Sequence, residues 1–207
     1  MKRLKKENIS HYKKEGMLNV STVIEDIFAR KIFDSRGEET IEVDVVTTSG
    51  FGRSSAPAGA SRGKAEAVPY PKGGVDQAIR KVREIIAPEL IGMEANQLEE
   101  IDSLLHEIDG TTDFSNIGGN TAYAVSLATA EAAANSNGIP LFQHLAGHSV
   151  NELPFPLGNV LGGGKHARGK APDIQEFLVL PLKANTFLDA AKTNTLVHQK
   201  VGSLLKK

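Results

Sequence analysis

The chain has 207 residues, 40% of them hydrophobic, with a formal net charge of −1 and no cysteine. That length suits one large domain or two small ones, the near-zero charge gives no global field to draw nucleic acid or acidic membranes, and the lack of thiols excludes disulfides and thiolate chemistry. No window reaches the roughly 18 consecutive apolar residues of a membrane span, and no apolar run follows the basic start as in a secretory leader, so the expectation is a soluble cytoplasmic protein without a nucleic-acid partner.

Residues 1–18 carry six Lys or Arg against two Glu and lack a core-forming pattern. They read as a disordered basic tail; the alternatives are a polyanion-binding arm, with Tyr12 its lone aromatic, and a start at Met17. From about Val20, alternation of Val23, Glu25 and Ile27 predicts a strand, and Ile41, Val43 and Val45 predict another over 40–47. DSRGEET, with Gly37 as its turn residue, joins them, and Thr48-Ser49-Gly50 leads to a third strand over 51–56. The result is a three-stranded antiparallel meander. Residues 56–66, APAGASRGKAE, are either a connector or a lid that closes over a ligand through the Gly59-Ala60-Ser61 backbone.

Helices come next. Val75, Ile79, Val82 and Ile86 recur at helical spacing until Pro88, which is expected to end the run. Leu98, Ile101, Leu105 and Ile108 define a second helix, with Asn96 as N-cap and Glu99 three residues later. An alanine-rich third helix spans about 120–137, closed by Gly138 as a left-handed C-cap and by Pro140. A short turn over 141–145 completes the unit. Strands followed by helices argue an α+β fold.

The Pro154-Phe155-Pro156 run marks a boundary, giving expected domains of 19–150 and 151–207. In the second, strands over 157–161 and 174–180 flank a glycine stretch, and an amphipathic helix runs over 187–206. About fifty residues cannot close a core of their own, so this reads as the incomplete start of a larger domain.

The stretch 162–176, GGGKHARGKAPDIQE, carries the chemistry. Glycines allow close backbone approach to a ligand, and a base, an imidazole and a carboxylate lie within fifteen residues. Gly164 to Lys170 fits the phosphate-loop spacing, but Ala171 stands where Ser or Thr must hold magnesium, and a strand comes where a helix must start. A structural zinc lacks partners for His166. Gln175 and Glu176 sit across the hairpin from His166; successive strand residues face opposite ways, so both reach one site only at a strand end or bulge.

These residues resemble the enolase (phosphopyruvate hydratase) family. ARKIFDSRGEETIEVDV (29–45), GASRGKAEA (59–67), GGNTAYAVSLATAEAAA (118–134) and PFPLGNVLGGGKHARGKAPDIQEFLVLP (154–181) match its blocks in order, and the DIQEFLVLP form resembles archaeal members. The resemblance implies an N-terminal cap domain of meander plus helices, then the truncated start of a modified β/α barrel. It also implies a magnesium-dependent lyase of glycolysis and gluconeogenesis, interconverting 2-phosphoglycerate and phosphoenolpyruvate, with Mg2+ as cofactor and a homo-oligomeric assembly. By the same resemblance Ser61 holds a second magnesium from the mobile loop, in which Gly59 and Ala60 meet substrate. His166 lies near the phosphate and leaving hydroxyl, Gln175 binds substrate, and Glu176 positions the leaving group or its proton donor; His166 and Glu176 are the catalytic candidates. Arg36 is read as structural. Arg62 replaces a small hydroxyl residue, and the His166–Gln175 spacing is one residue longer than usual. The family's three metal carboxylates, its proton-donor glutamate and its catalytic lysine belong to later sequence, so the chain alone is expected to be inactive. The alternatives are a non-catalytic interaction module and one half of a split enzyme.

Overall fold

The computed structural model describes residues 20–56, 63–164 and 171–206. The chain forms two compact units, one ending at Ser149 and the other beginning at Val150.

In the first unit, strands β1 (Ile24–Phe33), β2 (Glu39–Thr47) and β3 (Phe51–Ser55) pair antiparallel in the order β1-β2-β3. Ile41, Val43 and Val45 on central β2 are wholly buried on one face, as their spacing predicts. β1 departs from the expected alternation. Its register slips between Ile24 and Asp26, and Ile24 and Ile27 are the buried residues while Glu25 is exposed. A bulge inserts one residue and reverses the phase of the strand beyond it, so Val23, Glu25 and Ile27 do not share a face. The β1–β2 turn is held by Asp34, whose Oδ1 accepts from the backbone N–H of Arg36 and Glu38 at 2.8 and 2.9 Å. Those bonds hold its carboxyl below the usual range. Gly37 sits at φ 79°, a conformation glycine adopts without strain.

The outer sheet face carries a charge ladder. The Arg30 guanidinium donates to Glu42 and Asp44, and Arg53 donates to Asp44 at 2.7 Å. Asp44 is only 6% exposed, and its hydrogen bond from Arg53 lowers its pKa against the opposing effect of burial.

Helix α1 (Gly74–Lys81) passes into a π-helical turn (Val82–Ile86) and then α2 (Ala87–Leu90). Pro88 therefore does not end the run. It falls in the first turn after the π segment, where a missing N–H costs little, and the helix continues to bury Leu90 completely. Helix α3 (Leu98–Asp109) buries Ile101 and Leu105 as expected, but Gln97 is its N-cap and no side chain caps it. The Asn96 carboxamide oxygen instead accepts from Asn137 Nδ2 at 2.9 Å, which removes it from the predicted capping role. Helix α4 (Gly119–Ser136) ends at Asn137 with Gly138 at φ 65°, and α5 (Leu141–Ala146) comes directly after Pro140.

Helix α4 lies against β2 and β3. Its alanines explain the closeness: a Cβ on Gly52 would lie 2.0 Å from the Ala128 carbonyl oxygen, and one on Gly50 would lie 2.5 Å from that of Ala132. Small residues on both surfaces bring strand and helix backbones together, and a helix apolar nearly all round belongs inside a core.

The second unit holds an antiparallel hairpin, β4 (Gly158–Gly162) and β5 (Glu176–Val179), and helix α6 (Phe187–Leu205). Thr186 caps α6 by accepting from the Asp189 N–H. The helix packs on β4, where Asn194 Nδ2 donates to the Pro156 carbonyl at 2.8 Å. Of its apolar residues only Ala190 is buried, while Leu188 is 75% exposed and Phe177, Leu178, Leu180, Leu196 and Leu204 are also exposed. These described elements do not close a barrel.

Candidate active site

The glycine stretch opens at the end of β4, where Gly162 pairs with Glu176 across the hairpin. The chain then crosses its partner closely: Gly163 N–H donates to the Gln175 carbonyl at 2.7 Å, and Gly164 N–H to that of Pro172 at 2.8 Å. A Cβ on Gly163 would lie 2.2 Å from the Ile174 carbonyl oxygen and 2.6 Å from that of Pro172, and Gly164 sits at φ 56°. Glycine is thus required at 163 by contact and favoured at 164 by dihedral. The two bonds pin the Pro172–Gln175 segment beside the glycines and set where β5 begins.

That geometry places Gln175 just before the strand and Glu176 as its first residue. Both are exposed, and neither side chain bonds a described residue. At the strand end, the alternation that would send neighbours to opposite faces is relaxed by the bend over 173–175. An amide able to donate and accept thus stands beside a carboxylate at one hairpin mouth. The other expected site residues, Gly59, Ala60, Ser61 and His166, lie outside the described residues, as do Arg62, Lys165, Arg168, Lys170 and the basic tail 1–18. The structure therefore places two of the six predicted site residues.

Among the described residues no three His, Asp or Glu side chains converge as a metal site would require. They do not fit a magnesium site by themselves. No described helix is long and apolar enough to cross a membrane.

The outer-face ladder is absent from the sequence-based expectations. Its signal is the second half of the β2 alternation, Glu42 and Asp44 between Ile41, Val43 and Val45, opposite arginines on both neighbouring strands.

Two family models match the chain in tandem: the enolase N-terminal domain over residues 24–145 and the enolase C-terminal TIM barrel domain over residues 150–207. The chain belongs to the enolase family. The meander with its helices is the family's N-terminal domain, and β4, β5 and α6 are part of its barrel domain. Relatives named enolase include those of Methanosphaera stadtmanae (53% identical over 91% of this chain and 45% of that protein), Methanothermobacter thermautotrophicus (51%, 91% and 45%) and Thermoplasma acidophilum (48%, 88% and 45%). All three are archaeal. The chain thus spans under half the length of these enolase relatives.

Proposed function

We propose that this chain supplies one wall of an enolase active site, for the reversible dehydration of 2-phosphoglycerate to phosphoenolpyruvate in glycolysis and gluconeogenesis. The supporting observation is the glycine-pinned hairpin mouth, which sets Gln175 beside Glu176 within the segment matched to the barrel domain. In this reading Gln175 hydrogen-bonds the substrate. Glu176 holds the leaving hydroxyl or the group that protonates it, and His166 meets the phosphate. Ser61, with Gly59 and Ala60, closes over the bound substrate.

The difficult step removes a weakly acidic proton beside a carboxylate, which leaves a second negative charge on that carboxylate. Without groups that stabilise this charge, residues that only bind and cover substrate give little acceleration. When bound, Mg2+ would supply that stabilisation as a Lewis acid. By the family resemblance the metal carboxylates and the catalytic lysine belong to other sequence, and among the described residues no cluster is able to hold the metal, so in this reading the chain alone is expected not to turn over. Incubating the purified chain with 2-phosphoglycerate and Mg2+ while monitoring enol absorbance tests this. A flat trace is expected, and a magnesium-dependent rise would overturn it.

A second reading, one half of a split enzyme, is favoured by the exposed apolar residues of β5 and α6. Apolar surface of that kind marks an interaction face. The homo-oligomeric assembly and cytoplasmic location suggested by the resemblance belong to the same proposal.

A further inference from the structure

The N-terminal unit contains a cleft of about 280 Å³ between α3 and α4. Asp102, His106, Phe114, Ala122, Tyr123 and Ser126 line it. Its lining is mainly apolar, and Asp102 is its one acidic side chain. Asp102 Oδ1 is buried without a hydrogen-bond partner, and no described residue bonds the other oxygen either. Asp102 as a whole is half-buried: Oδ1 forgoes a hydrogen bond in the wall, while the other oxygen is not among the buried atoms and is open to a donor. His106, one turn along α3, packs against Phe114, with ring centroids 4.5 Å apart and planes tilted by 51°. Phe114 is the one described non-glycine residue with positive φ, at 57°. Its left-handed backbone is held by the loop below, where Ser115 N–H donates to Asp113 Oδ1 and Gly118 N–H to the Phe114 carbonyl. An aromatic ring on a left-handed backbone and a carboxylate with no described hydrogen-bond partner thus line one cleft of small-ligand size.

We propose that this cleft binds a small organic cation, a primary ammonium carried on an apolar or aromatic body. The ammonium donates to the open oxygen of Asp102. Aromatic rings in the lining attract the same positive charge, and Leu105 and Ala122 receive the apolar body. A neutral alcohol of the same shape fills the space and can donate one hydrogen bond but brings no positive charge to the carboxylate. An anion is excluded by the charge of Asp102.

The test is a titration of the isotope-labelled full chain by amide NMR at about pH 8. The probe is phenethylammonium and the control is phenylethanol. Saturable shifts at Ala67, Leu105, Gly119 and Ala122 are expected with the cation. The neutral analogue should bind roughly tenfold to a hundredfold more weakly, the difference a charge-assisted hydrogen bond makes. Asp102→Asn keeps the side-chain shape and should bring the cation down to the level of the alcohol. Should that variant not fold, Ser126→Met adds bulk to the cleft lining with Asp102 intact and should abolish the shifts. Equal binding of cation and alcohol, shifts mapping elsewhere, or full binding by folded Asp102→Asn or Ser126→Met would overturn the proposal.

Discussion

Replacing Gly52 with alanine probes how closely the sheet is held to α4. The added Cβ would lie 2.0 Å from the Ala128 carbonyl oxygen and 2.4 Å from the Ala132 nitrogen. Both are backbone atoms within a helix, so no rotamer change relieves the contact. Restoring ordinary contact at about 3.5 Å requires β3 and α4 to part by more than about 1 Å. That opens the interface on which Val43, Val45, Val125 and Ala128 are buried. Overpacking a dense core costs about 1–3 kcal/mol, occasionally more, and contact with backbone on two sides places this substitution at about 3 kcal/mol. Against a total stability of about 5–15 kcal/mol, this corresponds to a fall in Tm of about 10 °C for a protein of this size. Thermal and urea unfolding monitored by circular dichroism measure it. Gly202→Ala is the control: it lies in α6 with nothing within 4 Å of the added Cβ, so it should be neutral or stabilising by up to about 1 kcal/mol. A Gly52→Ala protein that melts like its parent would refute the close-packing argument.

Buried and paired charges give further expectations. Asp109 is 2% exposed, and its Oδ1 accepts from Asn116 and Ile117 N–H while Oδ2 accepts from Thr111 N–H. Burial raises its pKa, but the bonds from Thr111, Ile117 and Asn116 outweigh that and leave it lowered. A lowered folded pKa contributes stability above the unfolded value of about 4, lost as pH falls through the folded value. Asp109→Asn should therefore cost about 2–3 kcal/mol near neutrality and flatten the acid limb of a stability–pH curve. Asp44→Ala removes the carboxylate that Arg30 and Arg53 share, leaving two like-charged guanidiniums with Glu42 alone, and should cost about 1–2 kcal/mol. That deficit should shrink in high-salt unfolding experiments as the repulsion is screened. Gly163→Ala should abolish exchange protection of the amide that bonds Gln175, whereas Gly162→Ala, with nothing within 4 Å of its Cβ, should preserve it.

The fold is legible in the sequence wherever side-chain pattern and backbone agree. Ile41, Val43 and Val45 announce β2 because a central strand packed on one face must alternate. Leu98, Ile101 and Leu105 announce α3 for the same reason at helical period. The misses are backbone events. The bulge at Glu25 inserts a residue that composition does not mark. The π segment before Pro88 lets the helix continue past a residue that ordinarily stops it. Asn96 has capping chemistry, but Asn137, forty-one residues away, takes its oxygen. At the candidate site, the need for glycine at 163 and the position of Gln175 and Glu176 at a strand mouth are consequences of the hairpin. Asp102 stayed hidden because a carboxylate on an amphipathic helix looks solvated until its neighbours are in place.

The most direct test of the central claim is complementation. The chain is mixed with the remaining barrel segment of the Methanosphaera stadtmanae enolase, and 2-phosphoglycerate dehydration is monitored with Mg2+. Activity should appear only in the mixture, and Glu176→Gln in this chain should lower kcat by a factor of about a hundred or more with little change in complex formation. Turnover by the chain alone, or a stably formed complex whose rate is indifferent to Glu176→Gln, would contradict the account.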